Sequence, residues 1–137
     1  MISKATAPHY VWGDHCDGWR LVQASGLSVI HERMPPHAAE VRHHHRAARQ
    51  FFFVLSGVAT MEHGDERVEL RGGDGVEIAP GVSHRIRNES GRDVEFLVVS
   101  APPSRGDRIL DMSEAPSDDE APVDRGTRAS RPSEGDL

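Results

Sequence analysis

The stretch that most limits what this chain can fold into is Glu40 to Gly57, EVRHHHRAARQFFFVLSG. Side chains alternate across a β-strand, so His43 and His45 share one face while His44 points to the other. Two imidazoles on one face of a strand can hold one metal ion. Gln50 follows five positions later, then the apolar run Phe51-Phe52-Phe53-Val54-Leu55 and Gly57. An apolar run of that length, bounded by a glycine, reads as a strand with both faces covered.

A second stretch, Gly73 to Asn88 (GDGVEIAPGVSHRIRN), complements the first. The short β-rich run Val76-Glu77-Ile78 ends at a Pro80-Gly81 turn, which delivers His84 to the start of another alternating run. Together the two stretches supply three imidazoles, His43, His45 and His84, and the amide of Gln50 as candidate ligands.

These residues resemble the two motifs of the cupins, small double-stranded β-helix or jelly-roll barrels. The first family motif is G-x5-H-x-H-x(3 or 4)-E-x6-G, and the second is G-x5-P-x-G-x2-H-x3-N. His43, His45, the place of Gln50, and Gly57 fit the first; Gly73, Gly81, His84 and Asn88 fit the second. The chain departs at three positions. His37 stands where the first motif opens with glycine, Ala79 stands where the second has proline (Pro80 comes one place later), and Gln50 stands where most members have a glutamate ligand. The resemblance implies an all-β jelly-roll barrel over roughly residues 19 to 101, a metal held by His43, His45, Gln50 and His84, and a homodimer. It says little about chemistry, because one fold hosts many functions.

The rest of the chain agrees with such a barrel. Residues 1 to 18 carry Pro8, Gly13, Asp14, Asp17 and Gly18 around Tyr10 and Trp12, and read as an arm that packs on the barrel wall or on a second subunit. Within it, Cys16 reads as a partly buried thiol and His15 as a surface imidazole, the alternative being a lid over the barrel mouth. Trp19–Gln23 and Leu27–Met34 read as strands, stopped by Pro35-Pro36. In Leu27–Met34 both parity sets mix apolar and charged residues, so the inward set is open, and His31 is a site candidate only if its set faces inward. A hairpin turns at Gly64-Asp65 beside a non-ligand His63, and Val94 to Ser100 closes the barrel. Short strands every 8 to 12 residues, with turn signals between them, argue for an all-β barrel or sandwich on pattern alone.

Composition bounds the partners. Formal net charge is −6, which gives no basic footprint for nucleic acid. One cysteine, Cys16, excludes an intrachain disulfide, and no apolar run approaches a membrane span, so a soluble, cytoplasmic protein is expected. Residues 102 to 137 hold nine acidic residues against five arginines and have almost no β-branched or aromatic side chains. That composition predicts a largely disordered tail, with Ile109-Leu110 and Met112 able to dock as a short helix or edge piece.

Neutral imidazole suits Zn, Cu, Fe and Ni. With Gln50 in place of a carboxylate, a bound divalent ion keeps its full charge, so Zn, Ni or Fe is favoured, with Cu or Mn possible. An amide cannot take up a proton at neutral pH, so quercetinase-like oxygenases are a poorer match than the cyclase-like cupins that also carry glutamine. The expectation is a metal-dependent enzyme acting on a small organic molecule by Lewis-acid or dioxygen chemistry. The alternatives are a non-catalytic binder of a small, sugar-like ligand, a metal-free relic, and a sugar-phosphate isomerase in which Arg20, Arg33, Arg42 or Arg85 clamps phosphate.

Overall fold

A computed structural model describes residues 1–111. It contains eleven strands and, among the described residues, no helix long and apolar enough to cross a membrane. They are β1 (His9–Trp12), β2 (Cys16–Ala24), β3 (Leu27–Met34), β4 (His43–His45), β5 (Arg49–Ser56), β6 (Val58–His63), β7 (Glu66–Arg71), β8 (Gly75–Ile78), β9 (His84–Arg87), β10 (Val94–Ala101) and β11 (Arg108–Leu110). A six-stranded sheet runs β1-β2-β3-β10-β5-β8 and a five-stranded sheet runs β11-β4-β9-β6-β7. All pairings are antiparallel. This is the expected all-β double-stranded β-helix.

The core lies between the sheets and is built by alternation. From β10, Val94, Phe96 and Val98 point inward; from β5, Phe52 and Val54; from β9, Ile86; from β6, Met61. The parity left open in β3 is settled by burial: Ile30, Glu32 and Met34 are buried, so His31 is on the outer face. There it meets Glu95 at 2.7 Å and the edge of Trp19.

The strand pattern begins earlier and ends later than the sequence suggested. Residues His9–Trp12, expected within an arm, form an edge strand on β2. Trp12 is buried in the core, and the ring of Tyr10 lies over Gly18, its partner in register. A Cβ at Gly18 would sit 2.3 Å from that ring, so the glycine that read as a loop signal is a strand position covered by an aromatic. At the other end, Ile109-Leu110 does dock as an edge piece, and it does so as strand β11 on β4. Met112 and the rest of the expected tail lie outside the described residues.

The motif glycines serve backbone geometry. Gly57, Gly73 and Gly81 all have positive φ, and His37, at the position where the family motif opens with glycine, is held at φ 70°. Asn88 is structural: its side-chain amide donates to the carbonyls of Met34 and Arg92 (3.0 and 2.7 Å), tying β3 to the turn after β9.

Gly57 is doubly constrained. It has φ +85°, and an added Cβ would lie 2.5 Å from the carbonyl oxygen of Asp93 and 2.9 Å from Val94 Cα, both backbone atoms. Gly57→Ala should therefore destabilise the protein by at least about 2 kcal/mol. Urea unfolding should show this as a lowered midpoint, with Gly26→Ala, whose site is open, close to wild type.

Candidate metal centre

His43 and His45 start and end β4, and His84 starts β9, directly opposite His43 in the ladder. The turn before β9 is tied to β4 by Gly81 N–H donating to the His45 carbonyl at 2.8 Å. All three side chains are buried. Their ring centroids lie 4.5 to 5.8 Å apart, and one nitrogen from each falls within 4.8 Å of the others. Among the described residues, this is the group of His, Cys, Asp or Glu side chains that could hold an ion.

The hydrogen bonds select the tautomer. His43 Nδ1 donates to the Val41 carbonyl at 2.8 Å, His84 Nδ1 to the Val82 carbonyl at 2.9 Å, and His45 Nδ1 to the Asp107 carboxylate at 2.8 Å. Each acceptor requires a proton on Nδ1, so the lone pair of each neutral ring is on Nε2, the ligand form. His43 Nε2 and His84 Nε2 are buried with no hydrogen-bond partner among the described residues. Burial, then the positive charge of Arg108, hold the His43 imidazole well below its ordinary range. Burial also lowers His84, to about 4. These rings are neutral at pH 7.

Gln50 reaches the interior from the opposite sheet. It is buried on the inward face of β5, two residues from Phe52, whose ring packs against His84 at 5.9 Å. Its Nε2 donates to Ser100 Oγ at 3.0 Å, and its Oε1 is buried without a partner. Three acceptor atoms that a metal would engage, two imidazole nitrogens and one amide oxygen, are thus buried and unsatisfied among the described residues, a costly state for polar atoms unless something pairs with them. The donor set fits a divalent transition metal.

Three contributors escaped sequence reading. Asp107 orients His45 and also accepts the amides of Ala47 and Ala48 at 2.9 Å each. Burial raises its carboxyl, but those two amides and His45 more than offset this and hold it below its usual range. Glu40 is buried, accepts the Ile86 amide through Oε1 at 3.0 Å, and is raised by burial to about 7. Arg108 lies in β11. Asp107 and Arg108 fell in a segment whose composition reads as tail, and the one signal there was the apolar pair Ile109-Leu110. The other candidates have separate duties. Arg33 pairs with Asp17 and Asp93, Arg85 with Glu62, Arg42 binds Ser83 and the Gly64 carbonyl, and Arg20 stacks on Tyr10. Cys16 is buried, and burial, then the Glu32 charge, push its thiol well above the ordinary range. His63, at the end of β6, lies 3.8 Å from Glu66 and outside the cluster.

The two shifted groups predict opposite pH dependences. The folded protein refuses His84 a proton that the unfolded chain accepts near 6.5. Its contribution to stability is therefore complete above about pH 6.5 and is lost as the pH falls through about 4, on the order of 3 kcal/mol. Glu40 is raised, so its contribution is complete below about pH 4.5 and is lost as the pH rises through about 7. In denaturant titrations of metal-free protein, the margin of wild type over His84→Gln should shrink from pH 7 to pH 4. The margin over Glu40→Gln should grow across the same interval. A His84→Gln difference that does not vary with pH would contradict a buried neutral ring.

The cupin domain family model matches residues 30–100 of this chain. An uncharacterized protein of Methanocaldococcus jannaschii is 27% identical over 76 residues, which cover 56% of this chain and 61% of that relative. The chain thus spans less than two thirds of that relative's length. A Thermus thermophilus protein of known crystal structure is 26% identical with a TM-score of 0.60, over 62% of this chain and 81% of that one. A sugar phosphate isomerase of the cupin superfamily from Silicibacter pomeroyi is 19% identical with a TM-score of 0.67, over 74% of each chain, a likeness that shows the fold alone. With the family match covering the strands that carry the histidine cluster, this chain belongs to the cupin domain family.

Proposed function

We propose that this protein is a metal-dependent enzyme acting on a small organic molecule, with His43, His45 and His84 as metal ligands and Gln50 as a fourth ligand or adjacent donor. The observation that carries the reading is the unsatisfied acceptors: His43 Nε2, His84 Nε2 and Gln50 Oε1 are buried and unpartnered while each histidine's Nδ1 is anchored. A bound Zn, Ni or Fe supplies Lewis acidity toward a carbonyl or, for the redox-active ions, reactivity with dioxygen.

The chain's own residues favour the Lewis-acid form. Gln50 brings no negative charge and holds no titrating proton. Glu40, bonded to the Ile86 amide two residues along β9 from His84, is the buried carboxyl whose proton affinity suits exchange near neutral pH. A phosphate clamp gains no support, since Arg33, Arg42 and Arg85 are each engaged by other groups. The alternative, a non-catalytic binder of a small sugar-like ligand, uses the same pocket and separates on turnover: saturable thermal shifts without product. A cytoplasmic setting accords with the single buried thiol of Cys16.

The outer face of the six-stranded sheet supports a homodimer. Val22, Val29, Val99 and Phe51 form one row across four strands, and Trp19, His31, Leu97 and Phe53 form the next. The N-terminal segment covers only the Trp19 end, where Lys4 lies over the ring at 4.7 Å and pairs with Glu95. Phe51 and Leu55 remain 41% and 42% exposed. An apolar sheet face of this kind is suited to a second copy.

Purified protein should hold one equivalent of a transition metal, and His43→Ala should hold none, by elemental analysis. Gln50→Glu should raise the affinity for Mn(II) on the order of tenfold by restoring a hard, charged donor. Protein that takes up no added Zn, Ni or Fe would end the enzyme reading. By light scattering the wild type should be a dimer, and Phe51→Asp should give a folded monomer.

A further inference from the structure

We propose that Gln23, Ser28 and Ser100 form a hydroxyl-binding ledge beside Gln50, so that the barrel takes a small uncharged carbonyl compound whose neighbouring carbons carry hydroxyl groups. This rests on the metal-site reading above and names the substrate class for it.

The register of the six-stranded sheet carries the inference. Ser100 is opposite Gln50 on one side and Ser28 on the other, and Ser28 is opposite Gln23. Residues directly opposite in an antiparallel ladder project from the same face. Gln50 is on the inward face of β5, and Ser100 continues the inward set Val94, Phe96 and Val98 of β10. Ser28 belongs to the set of Ile30, Glu32 and Met34 on β3. The four side chains therefore make one inward row across β5, β10, β3 and β2. The row is graded in depth: Gln50 and Ser100 are 1% exposed, Ser28 is half-buried and Gln23 is exposed. It leads from solvent to the amide of the metal site.

Polar side chains in this row are not explained by a wet rim, because the two at its inner end are buried. The next row is apolar over the same three strands, with Phe52, Val98 and Ile30. Gln50 Nε2 donates to Ser100 Oγ at 3.0 Å, which uses the serine as acceptor and leaves its proton to donate. Among the described residues, no hydrogen bond ties the side chains of Ser28 and Gln23 elsewhere.

Chemistry then sets the class of ligand. Each member of the row is uncharged and both donates and accepts, as an alcohol does. Neighbouring strands are about 4.8 Å apart, a spacing that hydroxyls on successive carbons can bridge with one hydrogen bond each. A plain methylene chain leaves the buried Ser100 proton unpaired, the situation by which a polar site rejects an analogue that lacks the hydroxyl. An anion only accepts, so it leaves the acceptors of the row facing its own charge. The cation one row deeper, Arg20, is stacked on the Tyr10 ring at 4.3 Å.

The test is a titration of zinc-loaded protein, followed by protein NMR, with three small ketones. L-Erythrulose carries hydroxyls on every carbon but the carbonyl. 1-Hydroxy-2-butanone keeps the carbonyl and its first hydroxyl, so it meets the metal equally, but lacks the other two. 4-Oxopentanoate carries a carboxylate instead. Wild type should bind L-erythrulose at least about fivefold more tightly than either of the others. Ser28→Ala should lose about fivefold for L-erythrulose with 1-hydroxy-2-butanone unchanged, and Ser28→Thr, which keeps the hydroxyl, should retain most of the affinity. Circular dichroism melts and zinc content establish that each variant is folded and loaded. If Ser28→Ala is not, Gln23→Ala, at an exposed position, decides by the same selective loss. Equal affinity for L-erythrulose and 1-hydroxy-2-butanone, an unchanged Ser28→Ala, or a parallel loss for both ketones would overturn the ledge. 4-Oxopentanoate binding more tightly than L-erythrulose would overturn the uncharged class. Should the wild type take up no zinc, the metal-site reading fails by itself. The same titrations on metal-free protein then decide: a Ser28-dependent preference for L-erythrulose keeps the ledge, and its absence ends it.

Discussion

The interior depends on one constraint: three imidazoles can share a buried space only if each Nδ1 proton has an acceptor. The fold meets it by placing His43 and His84 at the first residues of their strands. The residues two places earlier, Val41 and Val82, lie outside the strands, so their carbonyls are not used in a ladder and turn back to the rings. His45, at the end of its strand, has no such carbonyl and takes a carboxylate from Asp107, just before β11, instead. Ring geometry, tautomer and proton affinity therefore follow from where the strands begin and end.

That arrangement makes the segment after β10 part of the site. Asp107 holds His45 and, through two amides, the bend that separates β4 from β5. Arg108, the next residue, belongs to the inward set of β11. The carboxylate that holds His45 thus comes from the residue just before that short edge strand. The two sheets divide the labour: the five-stranded sheet carries the histidines, and the six-stranded sheet supplies Gln50 inward and an apolar surface outward.

Much of this was legible in the sequence. The alternation of His43 and His45, the turn that delivers His84, and the periodic turn signals gave the barrel and the cluster, because these depend on local geometry with a period of two. Motif glycines were readable for the same reason; Gly57, Gly73 and Gly81 have positive φ, and so does His37, which stands at the position where the motif opens with glycine. The arm was harder. Gly18 reads as a loop residue until Tyr10 is seen to cover it, and only cross-strand register supplies that information.

By itself, then, the sequence determined the fold class, the three histidines and the amide at Gln50, since each is encoded in spacing along a strand. Tertiary structure alone decided which face of β3 is buried, which nitrogen of each histidine carries the proton, that Glu40 is buried, and that Asp107 reaches His45. The reason is physical. Those properties depend on pairs far apart in the chain, such as His45 with Asp107 and Glu40 with Ile86, and on the low-polarity surroundings the two sheets create together.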